Sequence, residues 1–241
     1  MTINANGMHY RALNEKIQAL IESGEKNILL ERINGQRYIA CGIKTDLRIT
    51  INGTPGNDLG AFMDGPHITV HGNCQDATGN TMSGGSIVVH GDAGDIVGHS
   101  MRGGKIYIKG NAGYRVGIHM KSFGELNPVI IIGGNVQDFA GEYMAGGILV
   151  VLGNRSECPA GNYIGTGMHG GIVCIKGKVE DYQLGKEAKR LEMNKEIWNR
   201  LLPFLDEYCR IFSLGIELFS RESFTVLAPF THRPYGGMYA Y

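Results

Sequence analysis

Gly165-Thr-Gly-Met-His-Gly170 spells G-x-G-x-x-G, the pattern whose glycines let a dinucleotide pyrophosphate approach a helix N-terminus. That chemistry requires a strand before it, a helix after it and an acidic residue about twenty positions on, all within one βαβ unit. Here the segment is one copy of a longer repeat, so nucleotide binding is rejected. No Walker sequence, G-x-S-x-G or H-E-x-x-H is present. His99, His119 and His169 lie beside Met101, Met120 and Met168, at offsets of two before, one before and one after. An offset of one changes face in a strand, so the three rings are not expected to converge on a metal. No carboxylate or thiol recurs at ligand spacing either. Asp76, Asp95 and Asp138 recur between glycines, but calcium-binding nonapeptides need Gly-Gly-x-Gly-x-Asp every nine residues. Here aspartate appears once per coil and drops out at Tyr114 and Glu157. The neighbouring Asn73, Asp92, Asn111, Asn135 and Asn154 read as turn residues bonding their own backbone, stacked as ladders. The five cysteines include no Cys-x-x-Cys pair, and reduced, mostly buried thiols are expected. One cluster concentrates positive charge, Gly113-Tyr-Arg115-Val-Gly-Ile-His119-Met-Lys121. Arg115, His119 and Lys121 are therefore the candidate partner-docking residues, against the blander view of a solvated loop. No catalytic, cofactor-binding or metal-binding residue is assigned.

Glycine dominates the framework that holds these residues, at 37 of 241 positions. One column runs Gly53, Gly72, Gly91, Gly110, Gly134, Gly153 and Gly177, with steps of 19, 19, 19, 24, 19 and 24. A second runs Gly60, Gly79, Gly98, Gly117, Gly141 and Gly165, and a third is Met63, Met82, Met101, Met120, Met144 and Met168. The long steps are insertions into a nineteen-residue unit, near Lys121 to Asn127 and near Arg155 to Ala160, which become surface loops.

Before each first-column glycine stands a strand with strict alternation, as in Ile68/Val70, Ile87/Val89 and Ile106/Ile108. The next outward position holds Asn52, His71, His90, Lys109, Gly133, Leu152 and Lys176, a mostly polar set expected to face solvent or a partner. Strands recurring every nineteen residues, with glycine corners and no room for a crossover helix, cannot form βαβ units. They predict an all-β, right-handed parallel β-helix of about six to seven coils, with identical positions stacked roughly 4.8 Å apart. The methionine column becomes an interior file.

The flanks are expected to cap the open ends, giving residues 1–48 as an N-terminal cap, 49–178 as the β-helix and 179–241 as a C-terminal cap. Leu13, Ile17, Leu20 and Ile21 share one helical face, and Asn34-Gly35 between two strand-like runs predicts a hairpin. Lys186 to Leu202 predicts a helix ended by Pro203, with a second short helix to Phe212. From Phe224 onward, with Tyr235, Tyr239 and Tyr241, an extended tail is expected, able to dock on a partner. Lys+Arg and Asp+Glu each number 23, so no electrostatic attraction to nucleic acid or anionic membrane is implied, and homo-oligomerisation is left open. No secretory signal and no membrane-length apolar run is seen, which makes the cytoplasm the expected location.

Residues 53 to 177 resemble the GXGXG domain that closes the large subunit of glutamate synthases. The likeness is carried by Gly53-Thr-Pro-Gly-Asn-Asp-Leu-Gly-Ala-Phe62, Gly79-Asn-Thr-Met-Ser-Gly-Gly-Ser-Ile87, Gly141-Glu-Tyr-Met-Ala-Gly-Gly-Ile148 and Gly165-Thr-Gly-Met-His-Gly-Gly-Ile172. The flanks are similar to a stand-alone version encoded apart from the catalytic units, as in archaeal-type glutamate synthases and N-methylglutamate synthase-like systems. That resemblance implies a non-catalytic structural subunit, with FMN and iron–sulfur clusters on its partners. Those partners would be a glutamine amidotransferase-like subunit and an FMN-binding synthase-like subunit, together moving glutamine-derived ammonia to a 2-oxo acid with reduction. More distantly the coils resemble those of the β-helical subunit of formylmethanofuran dehydrogenase, which would work beside a molybdopterin or tungstopterin protein. The contrasting class is an independent β-helix carbohydrate-active enzyme such as a polysaccharide lyase, whose groove needs clustered carboxylates. The outward column holds none.

Overall fold

The structure, a computed structural model, describes residues 1–153 and 158–231. Asn154, Arg155 and Glu157 around the second insertion and the tail residues Tyr235, Tyr239 and Tyr241 lie outside the described residues. Eight parallel rungs follow one another in chain order: β2 (Asn27–Asn34), β3 (Arg48–Thr54), β4 (His67–His71), β5 (Ser86–Val89), β6 (Lys105–Ile108), β7 (Val129–Ile132), β8 (Ala145–Val151) and β9 (Gly170–Lys176). The β-branched alternation dictates both strand and register. Ile49, Ile68, Ile87, Ile106, Ile130, Leu149 and Val173 pair rung to rung, as do Ile51, Val70, Val89, Ile108, Ile132, Val151 and Ile175. All point into the coil interior, where the six methionines Met63 to Met168 are fully buried with them. A parallel β-helix is what this periodicity demands, and each buried methionine contributes roughly 1.5–3 kcal/mol.

The first coil starts earlier than the glycine columns do. β2 pairs in parallel with β1 (Thr2–Asn4) on one side and with β3 on the other, stepping from Leu30 to Ile51. Residues 37–43 form no strand, so the hairpin expected around Asn34-Gly35 is absent: Gly35 donates its N–H to Thr54 O at 2.8 Å and opens a coil corner. The glycine and methionine columns do not reveal that coil because Ala40 and Ile43 stand where later coils carry glycine and methionine. The helix α1 (Tyr10–Glu22) closes this end by burying Leu13 and Ile17 against the interior.

The other end differs more from expectation. Residues 188–191 are a strand, β10 (Ala188–Leu191), and Pro203 lies inside a single helix, α2 (Lys195–Phe212). Asn194 caps that helix by accepting from Ile197 N at 2.9 Å. Pro203 is tolerated because it sits on the exposed side, where water can satisfy the carbonyl it leaves unbonded. Within the expected tail, Phe224–Pro229 form a sheet strand: β11 (Phe224–Pro229) pairs antiparallel with β9, and β10 pairs antiparallel with β11. These two reversed strands end the parallel stack.

α2 lies across the outer face of the sheet, burying Val88, Tyr107, Ile131, Val150 and Cys174 beneath Ile197, Leu201, Leu205, Tyr208 and Phe212. Lys105 Nζ and Tyr107 OH both donate to Glu207 Oε2, at 2.6 and 3.0 Å, and fasten the helix to β6. Over these coils the mid-strand outward residues therefore meet the chain's own helix, while in the column before the glycines Lys109 stays exposed and Lys176 half-buried. The cue lay in the mid-strand outward positions, which change from Thr50 and Thr69 to Val88, Tyr107, Ile131, Val150 and Cys174.

Candidate docking surface

Each coil turns one corner through three residues in left-handed backbone, at i, i+2 and i+4. The sets are Tyr38/Ala40/Gly42, Asp58/Gly60/Phe62, Ala77/Gly79/Thr81, Ile96/Gly98/Ser100, Arg115/Gly117/His119, Phe139/Gly141/Tyr143 and Tyr163/Gly165/Gly167. Hydrogen bonding alternates along the five sets from Asp58/Gly60/Phe62 to Phe139/Gly141/Tyr143. The outer two residues donate N–H to the following coil, as Arg115 N does to Asp138 O and His119 N to Glu142 O, both at 3.0 Å. The central residue donates to the preceding coil, as Gly117 N does to Val97 O at 2.8 Å. Central positions face inward: a β-carbon on Gly79 would collide with Ile106 and Met82. Thirteen of the twenty-one positions are not glycine, each held in a conformation that costs an L-residue about 1–2 kcal/mol. Ile96 and Thr81, at φ 51° and 54°, are the least suited, being β-branched. Strain maintained through every coil projects two side chains per turn outward, and such strain is a pointer to function.

What those side chains form is a stacked ridge. The Arg115 guanidinium sits 4.9 Å from the centre of the Phe139 ring, and that ring stacks on Tyr163 at 4.9 Å and 14°. In the parallel file His119 stacks on Tyr143 at 5.2 Å and 9°, and His99 meets His119 edge-on at 6.0 Å. Phe62 and Tyr163 are 57% and 52% exposed, and Tyr38, Tyr114 and Tyr182 also reach solvent. Glu142 lies between the files, nearly buried, and accepts from Arg115 Nε at 2.8 Å. Arg115 is thus charge-paired, and Lys121, exposed at the start of the first insertion, lies beyond the corner. The structure brings Arg115 and His119 together around Glu142. The stacking residues Phe139, Tyr143 and Tyr163 were not singled out by the sequence reading, although Phe139 and Tyr143 follow Arg115 and His119 at steps of 24, as Tyr163 follows Phe139.

Polar residues complete the ridge. Asn80 Nδ2 donates to Asp58 Oδ1 at 3.0 Å, and Asn80 Oδ1 lies 3.1 Å from His99 Nδ1. Burial, then the neighbouring His119, lowers the His99 pKa from its ordinary value, partly opposed by Asp58. In the Asn and Asp files beside the ridge, Asn73, Asp76, Asp92, Asp95, Asn111 and Asp138 bond across coils and not to their own backbone, while Asn135 Oδ1 is buried without a hydrogen-bond partner among the described residues. Asn73 Oδ1 accepts from Asp92 N at 2.9 Å, Asp76 Oδ1 from Asp95 N at 2.9 Å, and Asp138 Oδ1 from Asn162 N at 2.7 Å. At the G-x-G-x-x-G segment, the Tyr143 ring occupies the space a side chain on Gly167 would need, and Gly167 N donates to Glu187 Oε2 at 2.8 Å. A carboxylate already holds the amide that a phosphate would use.

Elsewhere, His169 Nδ1 lies 3.2 Å from Gly167 O, away from the His99–His119 pair. Among the described residues no group of three or more His, Cys, Asp or Glu could hold a metal ion. Burial raises the thiols of Cys74 and Cys174 to about 11 and about 12, which keeps them protonated. All five cysteines are free thiols, with Cys74, Cys174 and Cys209 buried as most were expected to be and Cys41 and Cys158 exposed.

A family model described as GXGXG motif matches residues 27–211, starting at the coil that the glycine columns missed. An uncharacterized protein of Methanocaldococcus jannaschii, MJ1350, is 46% identical over 250 residues, covering 99% of this chain and 96% of that one. Among solved structures, one chain of the formyltransferase/hydrolase complex (FhcABCD) from Methylorubrum extorquens, crystallised with methylofuran, superposes with a TM-score of 0.60. It is 20% identical, covering 80% of this chain and 69% of that chain, which is a likeness of fold.

Proposed function

Because the chain belongs to the GXGXG-motif family, we propose that it is a non-catalytic structural subunit of a glutamate synthase-type complex. In this reading it positions a glutamine amidotransferase-like subunit against an FMN-binding synthase-like subunit in the cytoplasm. FMN and iron–sulfur clusters belong to those partners. The observation that carries the proposal is the strained, π-stacked ridge from Arg115 to Tyr163, with Phe62 further along the same corners. Rigid aromatic side chains held in place before association lose little entropy on binding, and tyrosine and arginine are favoured at the centres of protein interfaces. The Arg115–Glu142 pair leaves the middle of the ridge without net charge, which suits an apolar partner surface. Arg115, His119 and Lys121 remain the proposed docking residues, now with Phe139, Tyr143 and Tyr163 as the main contact. Among the described residues no helix is long and apolar enough to cross a membrane.

A second reading is favoured by one observation, the fold likeness to a chain of the formyltransferase/hydrolase complex. It assigns the same scaffolding role within a formylmethanofuran-type complex. Affinity purification of the tagged chain from its native cells, followed by mass spectrometry, separates the readings. Stoichiometric amidotransferase-like and FMN-binding chains support the first, and a molybdopterin or tungstopterin protein supports the second. Recovery of the chain alone, as a monomer or a homo-oligomer, overturns both.

A further inference from the structure

Away from the ridge, where the first insertion, β10 and α2 meet, a cavity of about 410 Å3 opens on the outer face of the sheet. We propose that it binds a small organic anion through a carboxylate or phosphate group. It is lined by Asn127 from the insertion and, from the consecutive elements β10 and α2, by Lys189, whose ammonium also lies 5.9 Å from the Phe230 ring centre, and Arg200. Its lining contains no aspartate or glutamate. Neither Arg200 nor Lys189 forms an ion pair among the described residues, whose salt bridges all engage other cations. Two cations without carboxylate partners bordering one partly enclosed site give it a positive potential, and a guanidinium fork matches a carboxylate or phosphate edge.

The insertion is itself fixed for this task. Ser122 Oγ accepts from Gly147 N at 3.0 Å and donates to Asn127 Oδ1 at 2.8 Å. With its oxygen committed to Ser122, Asn127 has its amide N–H groups left to donate. Ile172 and Leu191 supply apolar walls for the ligand's carbon body. The volume falls in the lower part of the range of small-molecule sites, roughly 300–1,000 Å3, so the ligand is a compact metabolite and not a dinucleotide.

Isothermal titration of the isolated full chain tests this independently of whether any partner protein is found. The probes are butyrate, inorganic phosphate and the neutral analogue butyramide. Saturable binding of butyrate or phosphate is expected, without butyramide binding. The tighter of the two anions identifies the head group as carboxylate or phosphate. Arg200→Ala and Lys189→Ala should each weaken that binding about tenfold or more, Arg200→Lys less, with unchanged circular dichroism and melting temperature. Failure of both anions to saturate at roughly 10 mM, equal binding of butyramide, or unaltered affinity in Arg200→Ala would overturn the proposal.

Discussion

The hydroxyl of Tyr208 on α2 fills the space that a side chain on Gly133 of the sheet would occupy, and it donates to Ile108 O at 3.2 Å. Gly133 interrupts an outward column that otherwise carries side chains, because a β-carbon there would meet both the docked helix and the Lys109 carbonyl of the preceding coil. Gly133→Ala should therefore lower stability by about 1–3 kcal/mol through overpacking, read as a fall in the urea midpoint. Tyr208→Phe, which only removes the hydrogen bond, should cost less, about 0.5–1.5 kcal/mol. An unchanged midpoint in Gly133→Ala would show that α2 does not seat on this face.

The methionine file makes a separate prediction. Met101 is fully buried between Met82 and Met120 in consecutive coils, and neighbours hydrogen-bonded at fixed spacing cannot collapse into a void. Met101→Ala should cost about 2–5 kcal/mol, and Met101→Leu under about 1.5 kcal/mol. Comparable losses for the two variants, measured by denaturant unfolding, would mean that the position is not packed as described.

Stacking is readable from the sequence because one side-chain column repeated in every coil fixes both register and facing. Ile68, Ile87 and Ile106 are identical and pair as their spacing requires. The coil bearing Ala40 and Ile43 breaks the column at two positions and so stays hidden. A helix boundary at Pro203 was expected because sequence alone does not say which side of a helix meets water. Least legible was the ridge. Left-handed backbone at Arg115 and Phe139 is imposed by hydrogen bonds to the next coil, against the preference of those residue types. The repeat nevertheless contained a clue to their stacking, since residues one coil apart must touch.

Stability should depend on pH through the seat of α2. His90 stacks on His71 at 4.8 Å and meets Phe212 edge-on at 5.3 Å. Burial first, then His71 and Lys109, lowers its pKa from the usual value near 6.5. Because the folded state resists protonation, this contribution is complete above about pH 6.5 and declines as the pH falls through the lowered folded value. His99 acts in the same direction. Melting temperatures at pH 8 and pH 5.5 should differ more for the wild type than for His90→Gln. Equal differences would remove His90 from the account.

The ridge is tested where folding and docking can be separated. Arg115→Glu would place a second carboxylate beside nearly buried Glu142, so a loss of binding there could report misfolding. Among the described residues, half-exposed Tyr163 stacks on the Phe139 ring alone, and exposed Lys121 has no ion-pair partner. Tyr163→Ala should leave the melting temperature within about 2 °C, a shift expected of a surface change near 0.5 kcal/mol. Its affinity for the co-purifying subunits should still fall about tenfold or more, as removal of a central aromatic anchor does. Lys121→Glu should act chiefly on the association rate and its salt dependence, because a rim charge steers encounter more than it holds the complex. Exchanging the ion pair, Arg115→Glu with Glu142→Arg, should restore folding while reversing the local charge order. Wild-type affinity in Tyr163→Ala and in the exchanged variant, measured by surface plasmon resonance on the purified partners, would move the docking surface off these corners.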